Sequence, residues 1–263
     1  MRDRVNMQSQ SGKKAISLLS GGLDSSTLLS YVLSQGYEVV ALSFNYGQRH
    51  VRELESAKKI AEYYGVEHRI MNLDLRSIGG SALTSDIKVP DLPVEDIGKE
   101  IPVTYVPARN TILLSIALGL AEVTDSTRIF IGANSLDYSG YPDCRPEYFD
   151  SLNETFRLAT KKTVEGGVIR VETPLLKYSK ADIVRLAFEL KTPLKLTWSC
   201  YRGGDKACGT CDSCKLRLKG FMEAGYEDPI DYENLPDFYA EYLRERESSE
   251  ARQKKEGKMG KTI

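Results

Sequence analysis

The chain has 263 residues, of which 41% are hydrophobic and 28% are charged, values that are ordinary for a globular protein. Lys and Arg (36) nearly balance Asp and Glu (37), so a formal net charge of -1 gives no support to a long nucleic acid as the main partner. We find no apolar run long enough to predict a membrane span, and residues 1–14 lack the apolar stretch of a secretory signal. We therefore expect a cytoplasmic protein with no membrane partner.

Strand and helix patterns alternate along the first 190 or so residues. Short apolar, β-branched runs predict strands at 14–19, 38–44, 67–73 and 128–133. Helical spacing of apolar residues predicts helices at 24–35, 51–64 and 110–123, and the capping pattern Ser-Lys-Ala-Asp opens another at Ser179. The segment 76–105 has no clear periodicity, and we expect a functional or mobile loop there.

This alternation predicts an α/β fold with a doubly wound, mainly parallel, Rossmann-like sheet. Ligands in such folds bind at the carboxyl ends of the strands, where we expect the loops 20–26, 45–50 and 135–145 to meet. We divide the chain into an α/β domain over 1–195, a cysteine-rich segment over 196–225 and a C-terminal extension over 226–263, polar and mobile at its end.

The loop after the first predicted strand has the composition of a phosphate-binding turn. Two glycines, Gly21 and Gly22, allow a tight turn and a close approach to an anion, and hydroxyl groups surround them. The lysine of the nucleotide triphosphatase P-loop is absent. Asp24 would repel a bare phosphate, so either Mg²⁺ bridges the two or Asp24 orients the turn. An ordinary strand–turn–helix corner is the alternative interpretation.

Four of the five cysteines, Cys200, Cys208, Cys211 and Cys214, lie within fifteen residues of one another. In a reducing compartment this crowding favours metal ligation over disulfides. Four thiolates suit a tetrahedral Zn²⁺ in a closed, structural site. An iron–sulfur cluster is the rival interpretation, because closely spaced cysteines also occur in ferredoxins, but the proline of that motif is missing.

Other polar groups follow the predicted strands. Residues 45–50 include His50, which more often packs or caps a helix than transfers a proton. Residues 137–145 combine two carboxylates, an arginine and two tyrosines, which could hold a planar, acidic substrate or form a surface turn. Cys144 is more typical of a packed residue than of a nucleophile. Lys177 and Lys180 flank a helix start that suits a phosphate.

The stretch SGGLDSS resembles the PP-loop, SGGxDS, of the ATP pyrophosphatase superfamily of adenylating enzymes. The resemblance implies an adenine nucleotide alpha hydrolase-like fold and attack at the α-phosphate of ATP with release of pyrophosphate. The implied ATP-binding residues are Leu19, Ser20, Gly21, Gly22, Leu23, Asp24, Ser25, Ser26, Thr27 and Lys180.

Within that superfamily the chain resembles the QueC family. The matching motifs are SGGLDSST, FNYGQRH, YVPARN, DYSGYPDCR, TPLLKYSKADIV, SCYRGGDKACGTCDSC and KLRLKGF, which together span about residues 14–222. This resemblance implies structural zinc on the four cysteines, Mg²⁺ with ATP, a homodimer, and catalytic roles for Asp24, Asp137 and Lys177. It places a deazaguanine substrate against Tyr46, Arg49, His50, Arg109, Asn110, Tyr138, Asp143 and Arg145.

The implied reaction converts 7-carboxy-7-deazaguanine, ammonia and two ATP to the 7-cyano compound through two adenylations. We expect free ammonia as the nitrogen source, because the chain has no room for a glutamine-hydrolysing domain. Two alternatives stay open. A paralogue would join the acid to another amine, for example on a protein, and a tRNA-modifying PP-loop enzyme would need a basic RNA-binding face. We therefore expect small-molecule substrates and no nucleic-acid partner.

Overall fold

A parallel sheet of five strands forms the centre of the molecule, in the order β3-β2-β1-β4-β5. The computed structural model describes residues 13–47, 52–85, 87, 101–135 and 141–259. The strands are β1 (Lys14–Leu18), β2 (Glu38–Asn45), β3 (Glu67–Asn72), β4 (Arg128–Phe130) and β5 (Arg170–Glu172).

Helices connect the strands and cover both faces of the sheet. They are α1 (Leu23–Ser34), α2 (Arg52–Tyr64), α3 (Arg109–Val123), α4 (Pro146–Ala159), α5 (Lys161–Val164), α6 (Lys180–Glu189), α7 (Asp212–Ala224) and α8 (Asp237–Met259). Within the part of the chain that is described, none of them is long and apolar enough to cross a membrane.

Two apolar clusters pack against opposite faces of the sheet. Ile16 and Leu18 of β1 belong to the cluster that contains α3 and α4. Ala15 and Leu19 belong to the other, which contains α1, α2, α6, α7 and Tyr239 of α8. Successive side chains of a strand point to opposite faces, so a central strand covered on both faces must be apolar throughout. This explains the near-continuous apolar run from residue 15 to residue 19.

The position of β1 creates the crevice in which a ligand would bind. β1 pairs with β2 on one side and with β4 on the other, so the chain winds outward from β1 in both directions. Such a reversal of strand order leaves a gap between the loops that follow the two central strands, and open α/β sheets bind their ligands there. The loop that begins at Ser20 follows β1 directly.

The predicted α/β class is confirmed, and four strands and four helices lie where the sequence predicted them. β4 ends at Phe130, three residues earlier than expected. β5, α4, α5, α7 and α8 were not predicted. Helix α8 runs to Met259, through the segment that we expected to be a mobile tail. The proposed domain boundaries stay predictions.

A buried ion pair joins α7 to the chain that leads into α8. Nε and Nη2 of Arg217 donate to the two carboxylate oxygens of Asp228 at 2.6 and 2.8 Å. Both side chains are almost fully buried. Tyr232 donates its hydroxyl to the same carboxylate at 2.7 Å, and the backbone N–H of Asp228 donates to the Tyr239 hydroxyl at 2.8 Å. These bonds fix the segment after α7 against the core.

We predict that Asp228→Ala lowers the free energy of unfolding by about 3–5 kcal/mol, because it leaves the Arg217 guanidinium buried without its counter-ion. Chemical denaturation measures this loss. The matched control is Glu154→Ala, which removes a solvent-exposed ion pair with Arg157 and should cost at most about 0.5 kcal/mol. Equal losses in the two variants would contradict the role assigned to the buried pair.

Candidate active site

A cavity of about 280 Å³ lies at the carboxyl ends of β1, β2 and β4. Its floor is apolar and is formed by Leu18, Leu42, Phe44, Leu113 and Ile131. Polar groups from the loop after β1, from α3 and from α6 surround this floor. An apolar floor with a few polar groups at its rim is typical of a small-molecule site, and it suits a flat ring with polar edges.

The loop after β1 forms one wall of the cavity. Gly21 adopts a φ of +85°, a conformation that glycine takes without strain. The Ser20 N–H donates to the Ser25 hydroxyl at 3.1 Å, and the two hydroxyl oxygens lie 2.9 Å apart. Of the predicted ATP-binding residues, those that line the cavity are Leu19, Ser20, Gly22, Leu23, Asp24, Ser25 and Lys180. Leu23, Asp24 and Ser25 form the first turn of α1, where backbone N–H groups lack partners within the helix.

Two of the predicted ATP-binding hydroxyls have a different position. Ser26 donates to the carbonyl oxygen of Gly22 at 2.6 Å, and Thr27 donates to that of Leu23 at 2.8 Å. In each case the hydroxyl donates to the backbone carbonyl four residues earlier in the chain, a common bond for Ser and Thr in helices. Ser26 and Thr27 are fully buried and do not line the cavity. In this conformation both hydroxyls bond to the first turn of α1 and lie outside the cavity.

Lys180 neutralises Asp24. Its Nζ lies 2.8 Å from each carboxylate oxygen of Asp24, and the two side chains are 11% and 20% exposed. Lys180 is the first residue of α6, and the predicted capping box of Ser179 and Asp182 holds that helix start in place. Gly220 of α7 makes room for the lysine, because a Cβ there would collide with the Cγ of Lys180. The pair cancels the negative charge of Asp24 beside the glycine turn, where Asp24 alone would repel phosphate.

The start of α3 forms a second wall. Arg109, Asn110, Tyr46 and Tyr141 all line the cavity. Nη1 of Arg109 reaches the Tyr46 hydroxyl only at 3.5 Å, so most of its donors stay available to a ligand. Burial raises the pKa of both tyrosines, which keeps their hydroxyl groups protonated. This wall offers a cation and two aromatic rings to an anionic, planar ligand.

Asp143 contacts α3 and does not line the cavity. Its Oδ2 accepts the N–H of Asn110 at 3.0 Å, and its carbonyl oxygen accepts Nδ2 of Asn110 at 3.0 Å. Ala108, the residue before α3, has a φ of +54° and provides no side-chain cap. The free N–H groups at a helix start need acceptors, and the buried Asp143 carboxylate provides one. Asp143 therefore positions Asn110, where we had expected a direct substrate contact.

Three other residues from the sequence analysis lie away from the reacting space or lack reactivity. Arg145 is exposed and donates Nε to the carbonyl of Pro142 at 3.3 Å, and neither Arg145 nor Lys177 lines the cavity. Cys144 does line it, but burial raises the pKa of its thiol to about 11, so it stays protonated at neutral pH. Four predicted residues fall outside the described part of the chain: Arg49, His50, Asp137 and Tyr138.

Glu53 is a cavity residue that the sequence analysis missed. It lies in the first turn of α2, and burial raises the pKa of its carboxyl to about 7 against the opposing effect of Arg109. The pattern of α2 is amphipathic, and a glutamate in a first helical turn is usually a solvated residue that favours the helix dipole. Only its proximity to the loop after β2 could have drawn attention to it.

The four cysteines of 200–214 come together as predicted. Their Sγ atoms all lie within 4.8 Å of one another, and all four residues are buried. Sγ–Sγ distances of 3.5 and 3.9 Å bracket the roughly 3.8 Å expected when four Zn–S bonds of about 2.3 Å are tetrahedral. Backbone N–H groups of Cys208 and Cys211 donate to neighbouring sulfurs at 3.3 Å, which stabilises thiolates. The donor set therefore fits a metal ion and leaves no protein position open.

The cysteine-rich segment also supports the glycine loop. The Trp198 N–H donates to the carbonyl oxygen of Gly21 at 2.8 Å, and the Trp198 indole donates to the carbonyl of Cys200 at 3.1 Å. The guanidinium of Arg52 stacks over the Trp198 ring at 4.1 Å. A metal that orders the four cysteines would therefore order a residue that holds the loop after β1.

We predict that Gly21→Ala lowers both ATP affinity and stability. A Cβ at Gly21 would collide with the carbonyl oxygen of Glu53 and lie 2.6 Å from the N of Ala57, in addition to the strain of the positive φ. Gly36→Ala is the matched control, because Gly36 has a φ of +78° and nothing within 4 Å of an added Cβ. Gly36→Ala should lower the free energy of unfolding by only about 1–2 kcal/mol and leave ATP binding unchanged. Calorimetry and denaturation separate the two effects, and identical behaviour would contradict the steric argument.

Comparison with known proteins finds relatives over most of the chain. The family model described as "Queuosine biosynthesis protein QueC" matches residues 14–225. The chain is 60% identical to a 7-cyano-7-deazaguanine synthase of Thermoplasma acidophilum, over 89% of this chain and 98% of that protein. It is 59% identical to one of Picrophilus torridus, over 89% and 97%, and 56% identical to one of Trichodesmium erythraeum, over 82% and 99%.

Among solved structures, an NMN synthetase from Francisella tularensis superposes with a TM-score of 0.44 at 14% identity, over 89% of this chain and 83% of that chain. This superposition is too loose to add to the fold described above. The family model covers the sheet, the glycine loop, the cavity and the four cysteines in one continuous match. This chain belongs to the QueC family.

Proposed function

We propose that the protein is an ATP-dependent ligase that converts 7-carboxy-7-deazaguanine and ammonia to 7-cyano-7-deazaguanine. The observation that carries the proposal is the 60% identity to a 7-cyano-7-deazaguanine synthase over 98% of its length. The cavity supports it, because it joins a phosphate-binding loop to an apolar floor and an arginine. The reaction would serve the biosynthesis of 7-deazaguanine nucleosides such as queuosine.

The first half of the reaction makes the acid reactive. A carboxylate is a poor electrophile, so one of its oxygens attacks the α-phosphate of ATP, which gives an acyl-adenylate and pyrophosphate. Ser20, Gly22 and the start of α1 provide donors for the departing pyrophosphate, and Lys180 offsets the charge of Asp24 beside them. Arg109 holds the acid against the floor. Ammonia then displaces AMP, loses a proton and leaves the amide.

The second half repeats this chemistry on the amide. The amide oxygen attacks the α-phosphate of a second ATP, and pyrophosphate leaves again. Loss of AMP and of both amide N–H protons then produces the nitrile. The same donors serve both halves, because both develop negative charge at the same phosphates. The absence of a P-loop lysine fits this chemistry, since the bond broken lies at the α-phosphate and not at the γ-phosphate.

We assign Zn²⁺ to Cys200, Cys208, Cys211 and Cys214, in a structural role, because four buried thiols within 4.8 Å of one another suit a closed tetrahedral site. Mg²⁺ bound with ATP would supply charge neutralisation at the phosphates. We keep Arg49, His50, Asp137 and Tyr138 as proposed contacts of substrate or ATP. We also propose a cytoplasmic homodimer that acts on small molecules without a nucleic-acid partner, which sedimentation analysis and RNA-binding assays would check.

The test is to incubate the protein with 7-carboxy-7-deazaguanine, ATP, Mg²⁺ and ammonium, and to follow products by mass spectrometry. We expect the nitrile, with two AMP and two pyrophosphate for each molecule formed. AMP production that requires a different amine and gives no nitrile would support a paralogue that joins the acid to that amine. AMP production that requires tRNA would support a tRNA-modifying enzyme. Either result would overturn the proposal.

A further inference from the structure

Glu53 lines the candidate site from the first turn of α2. Its backbone packs against the glycine loop so closely that a Cβ on Gly21 would collide with its carbonyl oxygen. Its side chain lines the cavity together with Arg109 of α3 and Tyr46 at the end of β2. α2 and α3 therefore bring one carboxylate and one guanidinium to the same space from different sides.

The Glu53 carboxylate has no hydrogen-bond or ion-pair partner among the described residues, and its side chain is partly exposed where it lines the cavity. Among the described residues, the hydrogen bond of Arg109 is the long one to Tyr46. Both groups therefore have acceptors and donors to offer to a ligand in the cavity.

A carboxylate is purely an acceptor and binds two adjacent N–H donors with its two oxygens. A guanine-like ring presents such a pair, the ring N1–H and the 2-amino group, next to the acceptor O6. An adenine ring presents one amino group beside the N1 acceptor, which a carboxylate would repel. The carboxylate–guanidinium arrangement therefore matches the donor–donor–acceptor edge of a guanine and not the edge of an adenine.

We propose that the Glu53 carboxylate accepts hydrogen bonds from N1–H and the 2-amino group of the deazaguanine ring. Arg109 then faces O6 and the neighbouring 7-carboxylate. This inference rests on the proposed function and names the residue that selects its substrate. Glu53 thereby gives preference to 2-amino-substituted rings over rings with a hydrogen at that position.

The test measures binding by calorimetry, with 7-carboxy-7-deazaguanine and with its analogue that lacks the 2-amino group. Wild type should bind the analogue roughly 10- to 150-fold more weakly, the effect of one hydrogen bond to a charged group. In Glu53→Gln an amide NH2 group replaces one carboxylate oxygen and would face an N–H donor of the ring. It should weaken binding of the acid by at least the same factor and remove the preference for the 2-amino group, while ATP affinity stays unchanged. Glu55→Gln, on the exposed side of α2, should behave as wild type.

Unchanged ATP binding by Glu53→Gln would show that the variant is folded. If that variant keeps the full preference for the 2-amino group, or loses affinity for ATP and not for the acid, the assignment of Glu53 is overturned and the proposed function stands. If wild type fails to bind the acid at all, the proposed function itself is overturned, and this inference with it.

Discussion

Asp24→Asn is expected to lower the rate of AMP formation by at least about 100-fold while the fold stays intact. The amide keeps the shape of the side chain but removes the charge that holds Lys180 Nζ with both oxygens at 2.8 Å. Removal of one preorganised electrostatic contact at developing charge typically costs 10²–10³ in rate. Pyrophosphate release in the presence of acid, ATP and Mg²⁺ measures the effect.

The control for this variant is Asp150→Asn, which makes the same chemical change on the exposed side of α4. It should leave pyrophosphate release unchanged. Circular dichroism and thermal unfolding establish that both variants are folded. Turnover near that of wild type by a folded Asp24→Asn protein would refute the role that we assign to the loop after β1.

Cys211→Ser is expected to lose the bound metal and much of the stability of the segment around it. Structural zinc sites contribute folding free energy directly. A loss of even 3 kcal/mol would lower Tm by roughly 6–12 °C in a protein of this size. ATP affinity should fall as well, because Trp198 connects this segment to the carbonyl of Gly21. Elemental analysis of wild type should find one zinc and no iron per chain.

Cys144→Ser is the matched control for metal content, since Cys144 is the one cysteine of the sequence outside the cluster. It should retain the zinc of wild type. A Cys211→Ser protein without metal that keeps its Tm and its activity would contradict a structural site. Iron with visible absorption in wild type would instead support the iron–sulfur interpretation.

The central strands and the helices around them could be predicted because each signal is local. β1 and β2 are apolar on both faces, and α6 begins with a capping box that the sequence shows directly. α4 begins with a proline in its first turn and repeats Phe149, Leu152 and Phe156 on its buried face, so its pattern was readable although it was not predicted. α7 was harder to predict from its sequence, because the buried Arg217 interrupts the apolar pattern of its inner face.

The parts of the site that depend on one continuous motif were predictable, and the parts that depend on tertiary contacts were not. The glycine loop and the four cysteines each fall within a short stretch, so a motif resemblance and a cysteine spacing were enough to predict them. The role of Asp143 required the start of α3, which lies 33 residues earlier in the chain. The place of Glu53 in the site could not be predicted, because it depends on α2 and α3 bringing Glu53 and Arg109 to the same cavity.

The most direct test of two successive adenylations is to supply 7-carboxy-7-deazaguanine with oxygen-18 in both carboxylate oxygens. The account predicts that both AMP molecules carry one oxygen-18 atom, the first from the acid and the second from the amide, and that the nitrile carries none. Label in inorganic phosphate together with ADP would show attack at the γ-phosphate. That result, or AMP without label, would contradict the account.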